Sequence, residues 1–301
     1  MTTTQADWLA MDWGTSNLRV WVMGEDGAVR AALSSDQGMG RLAPDQFETA
    51  LLDLVAPYLP DHRIPVLACG MVGAKQGWAE APYRKVPCKA PRAAQAIRPL
   101  VRDDRLDVRI LPGLKQASPA DVMRGEETQI AGYLGADPQF DGVICLPGTH
   151  SKWVHISAEE IVSFRTFMTG EMFDLLSGQS VLRHSVTSDD WDEAAFDEAL
   201  ADAMGAPQRF AARLFGLRAA GLLDGLSPAT ARARLSGMLI GLELAGAKEY
   251  WLGQQVVLIG APRLQALYGR ALKAQGVEAR GVDGADIVLA GLTAAYKETT
   301  Q

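Results

Sequence analysis

Cysteine is scarce in this sequence: Cys69, Cys88 and Cys145 are the only three among 301 residues. Their wide spacing gives neither a disulfide framework nor a zinc-binding pattern. Cys69 and Cys145 lie within apolar runs, which favours a role as small buried side chains. The first residues contain no basic region followed by an apolar one, so no signal peptide is expected. These features together predict a protein of the reducing cytoplasm.

Long apolar runs and an excess of positive charge are also missing. No apolar stretch approaches the ~18 residues of a membrane span, and the longest candidate, residues 235–247, contains Glu243. The net charge of −7 argues against a general nucleic-acid or anionic-membrane partner. Ordinary globular values for hydrophobic residues (48%) and charged residues (22%) fit a chain long enough for two domains with cores of their own.

Two familiar nucleotide-binding motifs are absent or unsupported. No GxxxxGK[ST] loop occurs, so a nucleotide cannot be held here by the P-loop design. Residues 38–43, G-M-G-R-L-A, match the dinucleotide fingerprint literally. However, they follow a loop-like S-S-D-Q segment rather than a strand, and no helix opens directly after them. We therefore reject this match.

Two similar stretches are present instead, and they divide the chain almost in half. Residues 9–20 read L-A-M-D-W-G-T-S-N-L-R-V, and residues 143–154 read V-I-C-L-P-G-T-H-S-K-W-V. Each has two β-type runs joined through a Gly-Thr turn, which predicts a β-hairpin. One such hairpin is ordinary, whereas a matched pair indicates a common purpose.

Both turns have groups that suit phosphate. Glycine lets the backbone approach an anion closely, and the backbone N–H groups and hydroxyls of such a turn can donate to it. The candidate donors are Gly14, Thr15 and Ser16 in the first turn and Gly148, Thr149, His150 and Ser151 in the second. Lys152 adds a positive charge beside the second turn. Asp12 adds a carboxylate beside the first, suited to Mg²⁺ directly or through water. Two facing turns of this kind could hold the β- and γ-phosphates of a nucleotide.

The paired hairpins resemble the actin-like ATPase superfamily of sugar kinases, in which each of two lobes begins with a phosphate hairpin. A closer resemblance, to the 2-keto-3-deoxygalactonate kinases, rests on longer motifs. These are D-W-G-T-S-N-L-R (12–19), G-M-V-G-A-K-Q-G-W (70–78), M-R-G-E-E-T-Q (123–129), L-P-G-T-H-S-K-W-V (146–154) and R-T-F-M-T-G-E (165–171). The resemblance extends from the first hairpin to the C-terminal helix.

This resemblance implies an α/β fold of two actin-like, ribonuclease H-like lobes, with a cleft for nucleotide and substrate between them. We place the N-terminal lobe at 1–138 and the C-terminal lobe at 139–301, dividing at the Gly-Ala-Asp-Pro segment that ends a helix. ATP and Mg²⁺ are the implied cofactors. Gly260 and Ala261 would correspond to the strand-to-helix turn against adenosine, although Ala261 replaces the usual second glycine of that superfamily motif.

The implied general base is Glu126 or Glu127, because related kinases have an acid after a glycine that precedes the second hairpin. The sequence does not choose between the two residues. Apolar spacing at Ile130, Tyr133 and Leu134 puts both acids in the first turn of a helix. Acids there also complement the helix dipole, so a purely structural role is an equally good explanation.

A basic segment provides candidates for binding an anionic substrate. Residues 74–92 contain five basic side chains and one acid in an otherwise acidic protein. A solvated surface loop would also explain this composition, but the interleaved aromatic residues and prolines favour an ordered loop. A sugar acid carries a permanent charge that must be paired when buried. The predicted substrate-binding residues are Asn17, Lys75, Trp78, Arg84 and Arg165.

Further elements follow from local signals. Residues 64–69 read as a buried strand, Thr169 as the N-cap of a helix after a strand at 160–168, and Ser227-Pro228 as the start of a long helix to 249. Residues 256–262 read as a strand that breaks into a helix, and 285–298 as a closing helix.

Three classes of function fit these observations. The first is an ATP-dependent kinase that phosphorylates the terminal (6-) hydroxyl of 2-dehydro-3-deoxy-D-galactonate in galactonate degradation, or a related keto-deoxy sugar acid. The second is a phosphohydrolase of the same fold, similar to an exopolyphosphatase. The third is a nucleotide-binding regulator without a small substrate, which the aromatic and basic segment disfavours. The expected partners are the sugar acid and ATP, with no nucleic acid and no membrane; a homo-oligomer is a possible assembly.

Overall fold

The computed structural model describes residues 5–298 of the chain as alternating strands and helices. The strands are β1 (Trp8–Trp13), β2 (Leu18–Met23), β3 (Val29–Ser35), β4 (Ile64–Gly70), β5 (Tyr83–Lys85), β6 (Leu106–Ile110), β7 (Gly113–Ala117), β8 (Ala120–Met123), β9 (Gly142–Leu146), β10 (Ser151–Ser157), β11 (Glu160–Phe167), β12 (Val256–Gly260) and β13 (Ala279–Asp283). The helices are α1 (Phe47–Val55), α2 (Glu126–Ala136), α3 (Thr169–Gly178), α4 (Glu193–Gly205), α5 (Phe210–Leu223), α6 (Pro228–Gly246), α7 (Lys248–Trp251), α8 (Pro262–Lys273) and α9 (Gly284–Lys297).

Two five-stranded sheets repeat one topology. The first has the order β3-β2-β1-β4-β6, and the second has the order β11-β10-β9-β12-β13. In the first sheet β1 and β2 are antiparallel, whereas β4 and β6 continue parallel to β1. In the second, β9 and β10 are antiparallel, and β12 and β13 run parallel to β9. The hairpins predicted from the repeated sequence are thus the first two strands of each sheet.

The chain divides into two compact units. Unit 1 comprises residues up to Phe140, the segment Ser157–Ser163 and the chain from Gly284 onward; unit 2 comprises Asp141–Ile156 and Phe164–Asp283. Our sequence-based boundary at 138 and 139 placed the C-terminal helix in the second lobe. The helix α9 instead packs on β1, β4 and α2 of unit 1.

Apolar contacts explain this return of α9 to unit 1. Val288 and Leu292 are buried in a cluster with Trp8, Leu67 and other residues of the first sheet. Close helix packing adds to it: a Cβ on Gly291 would lie 2.0 Å from the carbonyl oxygen of Thr128 in α2. Since the first turn of α2 contains the two candidate acids, α9 helps to fix them against the sheet.

A third, small sheet was not predicted. It has the order β5-β7-β8, with β5 parallel to β7 and β7 antiparallel to β8. These strands are three to five residues long, and β5 lies in the segment 74–92 that was predicted as an ordered loop. The short β5 pairs with a strand about thirty positions away, a contact that local sequence patterns do not encode.

Candidate active site

The first Gly-Thr turn connects β1 to β2 in unit 1. The N–H of Gly14 donates to the carbonyl of Asn17 at 2.9 Å and closes the turn, leaving Thr15, Ser16 and Asn17 exposed. Residues 38–40 brace it from outside, because the N–H of Gly40 donates to Thr15 O at 2.9 Å. A Cβ on Gly38 would lie 2.2 Å from the backbone of Ser16. The segment that we rejected as a dinucleotide motif, residues 38–43, therefore supports the turn by packing against its backbone.

Asp12 lies on β1 just before this turn, opposite Arg19 of β2 in the antiparallel register. The two side chains form an ion pair in which Asp12 is 18% exposed and Arg19 is 39% exposed. On the neighbouring strand β4, the thiol of Cys69 lies 3.8 Å from Asp12 Oδ1. Neither neighbour was predicted, although Arg19 can be inferred from the hairpin register once the turn is known.

The two candidate acids begin α2, where β4 ends. Gly125 precedes the helix with φ of +109°, and a Cβ on it would lie 3.4 Å from the Cα of Gly70. Glu126 accepts a hydrogen bond from the N–H of Arg124 at 3.0 Å. Glu127 accepts from the N–H of Gly125 with both carboxylate oxygens, each at 2.8 Å. Both acids therefore satisfy backbone donors at the helix N-terminus, as a structural role requires.

Glu127 is set apart by its burial. Its side chain is 1% exposed, and this desolvation, helped by the charge of Glu126, raises the pKa of Glu127 to about 8. Burial is the main cause of the raised pKa of the Cys69 thiol, and the charges of Asp12 and Glu127 raise it further. Asp12, Glu127 and Cys69 therefore lie in one neighbourhood of unit 1.

The predicted substrate residues are distributed over different environments. Trp78 is partly buried and packs against Phe47 and Trp13 at the edge of the core of unit 1, with ring centroids 6.3 Å away in each case. Lys75 is exposed, and Arg84 on β5 donates to Gln95 Oε1 at 2.8 Å. Arg165 belongs to unit 2 and forms a 3.5 Å ion pair with Glu249.

Arg124 is a buried cation that the sequence analysis left without a role. It is 8% exposed, its guanidinium lies 4.2 Å from the ring centroid of Tyr83, and its Nη2 donates to Ala81 O at 2.8 Å. Its Nη1 is buried without a hydrogen-bond partner. The sequence signal that could have identified Arg124 is its position directly before Gly125 and the two candidate acids. Arg124 ties the basic segment to the start of α2.

The second Gly-Thr turn connects β9 to β10 in unit 2. The N–H of Glu171 donates to Thr149 O at 2.9 Å, and the Glu171 carboxylate lies 2.6 Å from His150 Nε2. A Cβ on Gly170 would lie 2.4 Å from the carbonyl oxygen of Gly148. The start of α3 therefore braces this turn as residues 38–40 brace the first. Lys152 is 4% exposed and donates to His150 O at 3.2 Å.

A cavity of about 510 Å³ opens beside the second turn, within unit 2. Gly148, Thr149 and Gly170 line one side and Ala261 another, so the structure brings together the predicted phosphate turn and the predicted adenosine turn. Gly260 lies just behind, where a Cβ would meet Pro147 O at 3.2 Å. The volume is within the range of cavities that hold nucleotide-sized ligands, roughly 300–1,000 Å³.

The other walls of this cavity were not predicted. They combine apolar and aromatic side chains with two arginines, a serine and one acid: Phe173, Trp191, Leu239, Ile240, Leu264, Leu267, Tyr268, Arg232, Arg263, Ser236 and Asp174. Arg232 lies over the ring of Phe173 at 5.1 Å, and Arg263 over that of Trp191 at 5.8 Å. Apolar surface for a base and guanidinium groups for phosphate suit a nucleotide. Most of these residues lie on α3, α6 and α8. These helices are far apart in the sequence and adjacent only in the fold, so no sequence signal could group their residues.

A repeated ribonuclease H-like sheet with a Gly-Thr turn after its first strand defines the class of actin-like ATPases and sugar kinases, which confirms the predicted fold class. Within that class, the model of the 2-keto-3-deoxy-galactonokinase family matches residues 12–295. The chain belongs to this family, and the prediction of a kinase is confirmed.

Individual relatives agree with this assignment. A protein of Rhizobium meliloti (strain 1021) described as "Probable 2-dehydro-3-deoxygalactonokinase DgoK1" is 43% identical, over 98% of each chain. The 2-dehydro-3-deoxygalactonokinase of Escherichia coli (strain K12) is 32% identical, over 95% of this chain and 96% of its own. A crystal structure from Sinorhizobium meliloti, carrying the same kinase name as a provisional assignment, is 43% identical. It has a TM-score of 0.89 and covers 97% of this chain and 99% of that one. The comparisons give no support to the phosphohydrolase alternative.

Residues 5–298 contain no group of three or more His, Cys, Asp or Glu side chains arranged to hold a metal ion. Among the helices of the same residues, none combines the length and the apolar character needed to cross a membrane.

Proposed function

We propose that the protein transfers the terminal phosphoryl group of ATP to the 6-hydroxyl of 2-dehydro-3-deoxy-D-galactonate. The observation that carries this proposal is the family match over residues 12–295 of a chain whose two sheets repeat the same hairpin and turn. A cytoplasmic location would follow for such a metabolic kinase.

The cavity of unit 2 is the proposed nucleotide site. Adenosine would lie against Ala261 and the apolar walls, with the phosphates toward Gly148 and Thr149, which line the same cavity. Here the N–H groups of the turn and the start of α3 can donate to an anion. Ala261→Phe should therefore weaken binding of ADP, measured calorimetrically without sugar acid.

Asp12 is the proposed holder of Mg²⁺. Magnesium sites in kinases need only one or two carboxylates, because substrate phosphates and waters complete the shell. The absence of a three-ligand cluster among residues 5–298 therefore fits this metal. Bound Mg²⁺ would neutralise charge that develops on the transferred phosphoryl group. Asp12 would gain this role by exchanging its Arg19 partner for the cation.

The proposed base is an acid at the start of α2. A correctly placed base accepts the proton of the attacking hydroxyl and is worth ~10²–10⁴ in rate. Glu127 shares the neighbourhood of Asp12, whereas Glu126 has the more exposed side chain. Both residues are therefore candidates for the base. The carboxylate of the sugar acid would be paired by Lys75, Arg84 or Arg165, with Asn17 orienting a hydroxyl and Trp78 supporting the segment.

A coupled assay of ADP production across a panel of sugar acids tests the function. The panel contains the galactonate- and gluconate-derived 2-keto-3-deoxy acids, plus an analogue with an alcohol in place of the carboxylate. We expect rapid ADP release with the galactonate-derived acid, little with the neutral analogue, and almost none with ATP alone. ADP release independent of any sugar acid would contradict the proposal and favour a phosphohydrolase.

A further inference from the structure

Glu243 of α6 is a carboxylate in the interior of unit 2, at a position that the sequence shows only as an acid within an apolar run. Its side chain is 1% exposed. An acid buried to this degree is costly unless its oxygens are hydrogen-bonded, so its partners are the key to its role.

The four partner residues come from three different elements, β10, α3 and α8. Trp153 Nε1 of β10 donates to Glu243 Oε1 at 2.8 Å, and the hydroxyl of Tyr268 in α8 donates to Glu243 Oε2 at 2.7 Å. Hydroxyls of Ser151 and Thr169 also hydrogen-bond to the carboxylate. We predicted Thr169 as the N-cap of α3, but the cap residue is Met168 and Thr169 turns its side chain to Glu243 instead.

Two of the four partners line the proposed nucleotide cavity, and a third directly follows the second Gly-Thr turn. Ser151 directly follows the second Gly-Thr turn and begins β10, and its Oγ lies 3.0 Å from the Tyr268 hydroxyl. Thr169 and Tyr268 both line the cavity. On α6, Ser236 and Ile240 line it as well, and Glu243 follows them at helical spacing on the same face. The carboxylate therefore lies beneath the floor of the cavity.

We infer that Glu243 is a positioning residue for the nucleotide, which fixes the phosphate turn, the start of α3 and the adenosine-side helix α8 in one arrangement. This inference rests on the proposed nucleotide site. Glu243 itself does not line the cavity; it acts through hydroxyl groups that do. Buried polar networks whose members are hydrogen-bonded rigidify the groups that they connect.

Glu243→Gln is the most direct test. It keeps the shape of the side chain but offers one acceptor oxygen instead of two, so the network cannot remain complete. We expect the affinity for ADP, measured calorimetrically without sugar acid, to fall by about tenfold or more, as expected for lost hydrogen bonds to a charged group. KM for ATP should rise, while KM for the sugar acid should change little.

A matched pair of tryptophan variants separates positioning from general stability. Trp153 and Trp251 are both buried, and each indole donates one 2.8 Å hydrogen bond, to Glu243 and to the carbonyl of Leu244 respectively. Both Trp153→Phe and Trp251→Phe should lower Tm. Only Trp153→Phe should weaken ADP binding, and this pair decides the question even if Glu243→Gln does not fold.

Two results would overturn the inference: normal ADP affinity in Glu243→Gln, or equal ADP affinities in the two tryptophan variants. Ala261→Phe distinguishes this failure from failure of the nucleotide site. If Glu243→Gln binds normally and Ala261→Phe does not, Glu243 is only structural and the nucleotide site stands. If both bind ADP normally, the nucleotide site is wrong and the inference falls with it.

Discussion

The two Gly-Thr turns share a backbone plan and differ in the charges beside them. The first has Asp12 before the turn, partly exposed and paired with Arg19. The second has Lys152 after it, 4% exposed and bonded to the backbone of the turn. One turn offers a carboxylate suited to a cation, whereas the other offers donors and a positive charge suited to phosphate. The two units thus repeat the same hairpin, but the charges beside the two turns have opposite signs.

The braces of the turns differ as well. A short 3₁₀ turn, Met39–Arg41 with Gly38 before it, backs the first turn through backbone hydrogen bonds. The N-terminus of α3 backs the second, which adds the positive end of a helix dipole on the side of the turn that faces the cavity. Both turns are therefore supported from behind, but only the support of the second turn adds a helix dipole that favours an anion.

The largest effect is expected at the proposed base, for which both candidates, Glu126 and Glu127, lie in the first unit. Glu126→Gln and Glu127→Gln should behave differently, since adjacent helical positions point about 100° apart. One variant should lose kcat by about 10²–10⁴ with ADP affinity retained, and the other should lose little. Single-turnover kinetics provides the measurement. Unchanged chemistry in both variants would place the base elsewhere.

The next effect concerns which unit binds the substrate carboxylate. Lys75→Ala and Arg84→Ala test unit 1, and Arg165→Ala tests unit 2. Loss of a direct partner in a desolvated site costs about 2–5 kcal/mol, so KM for the sugar acid should rise by orders of magnitude while KM for ATP stays the same. If all three variants keep a normal KM, the basic segment is only a solvated surface.

The charge contrast between the turns predicts a third effect. Asp12→Asn should reduce turnover by roughly 100-fold and change its dependence on Mg²⁺ concentration, whereas Lys152→Met should mainly weaken nucleotide binding. Mg²⁺ titrations of the rate and calorimetry with ADP separate the two. Near-normal turnover of Asp12→Asn at limiting Mg²⁺ would mean that Asp12 merely stabilises its hairpin with Arg19.

The braces can be tested with alanine. In Gly38→Ala the new Cβ would lie 2.2 Å from Ser16 backbone, and in Gly170→Ala 2.4 Å from Gly148 O. Each variant should lower Tm by several degrees, and Gly170→Ala should also raise KM for ATP several-fold. Gly178→Ala, on the same helix with no atom within 4 Å, is the control and should leave both values near those of the wild type. A silent Gly170→Ala would show that the second turn tolerates displacement.

The smallest effect is a pH dependence of stability. Because the pKa of Glu127 is raised to about 8 in the folded state, mainly by burial, ionisation opposes folding. The protonated Glu127 side chain therefore contributes fully to stability below a pH of about 4.5, and this contribution is lost as the pH rises through about 8. The Tm of Glu127→Gln relative to wild type should therefore rise between pH 5 and about 8 and level off above that pH. Glu198→Gln, at an exposed carboxylate, gives the background, and a pH-independent difference would contradict the shift.

Much of the fold follows from local patterns. Alternating apolar runs around Gly-Thr turns give both hairpins, the apolar run at 64–69 is β4, and Ser227 accepts from Thr230 N–H as the cap of α6. These succeed because turn geometry, strand alternation and capping act over a few neighbouring residues. The short strands β5, β7, β8 and β13 were missed. The strands β5 and β7 pair with each other across about thirty positions, and β13 pairs with the distant β12. The strand β8 pairs with the neighbouring β7, in a hairpin too short to show a clear alternating pattern.

The sequence alone therefore determined the repeated hairpins, their turn residues and the acids at the start of a helix, all of which are short-range features. Only the tertiary structure decided that α9 returns to unit 1, that Glu127 is buried while Glu126 is not, and that Glu243 gathers donors from β10, α3 and α8. Burial and hydrogen-bond partnership depend on which distant elements pack together. Two adjacent acids with the same local propensity acquire different properties for that reason.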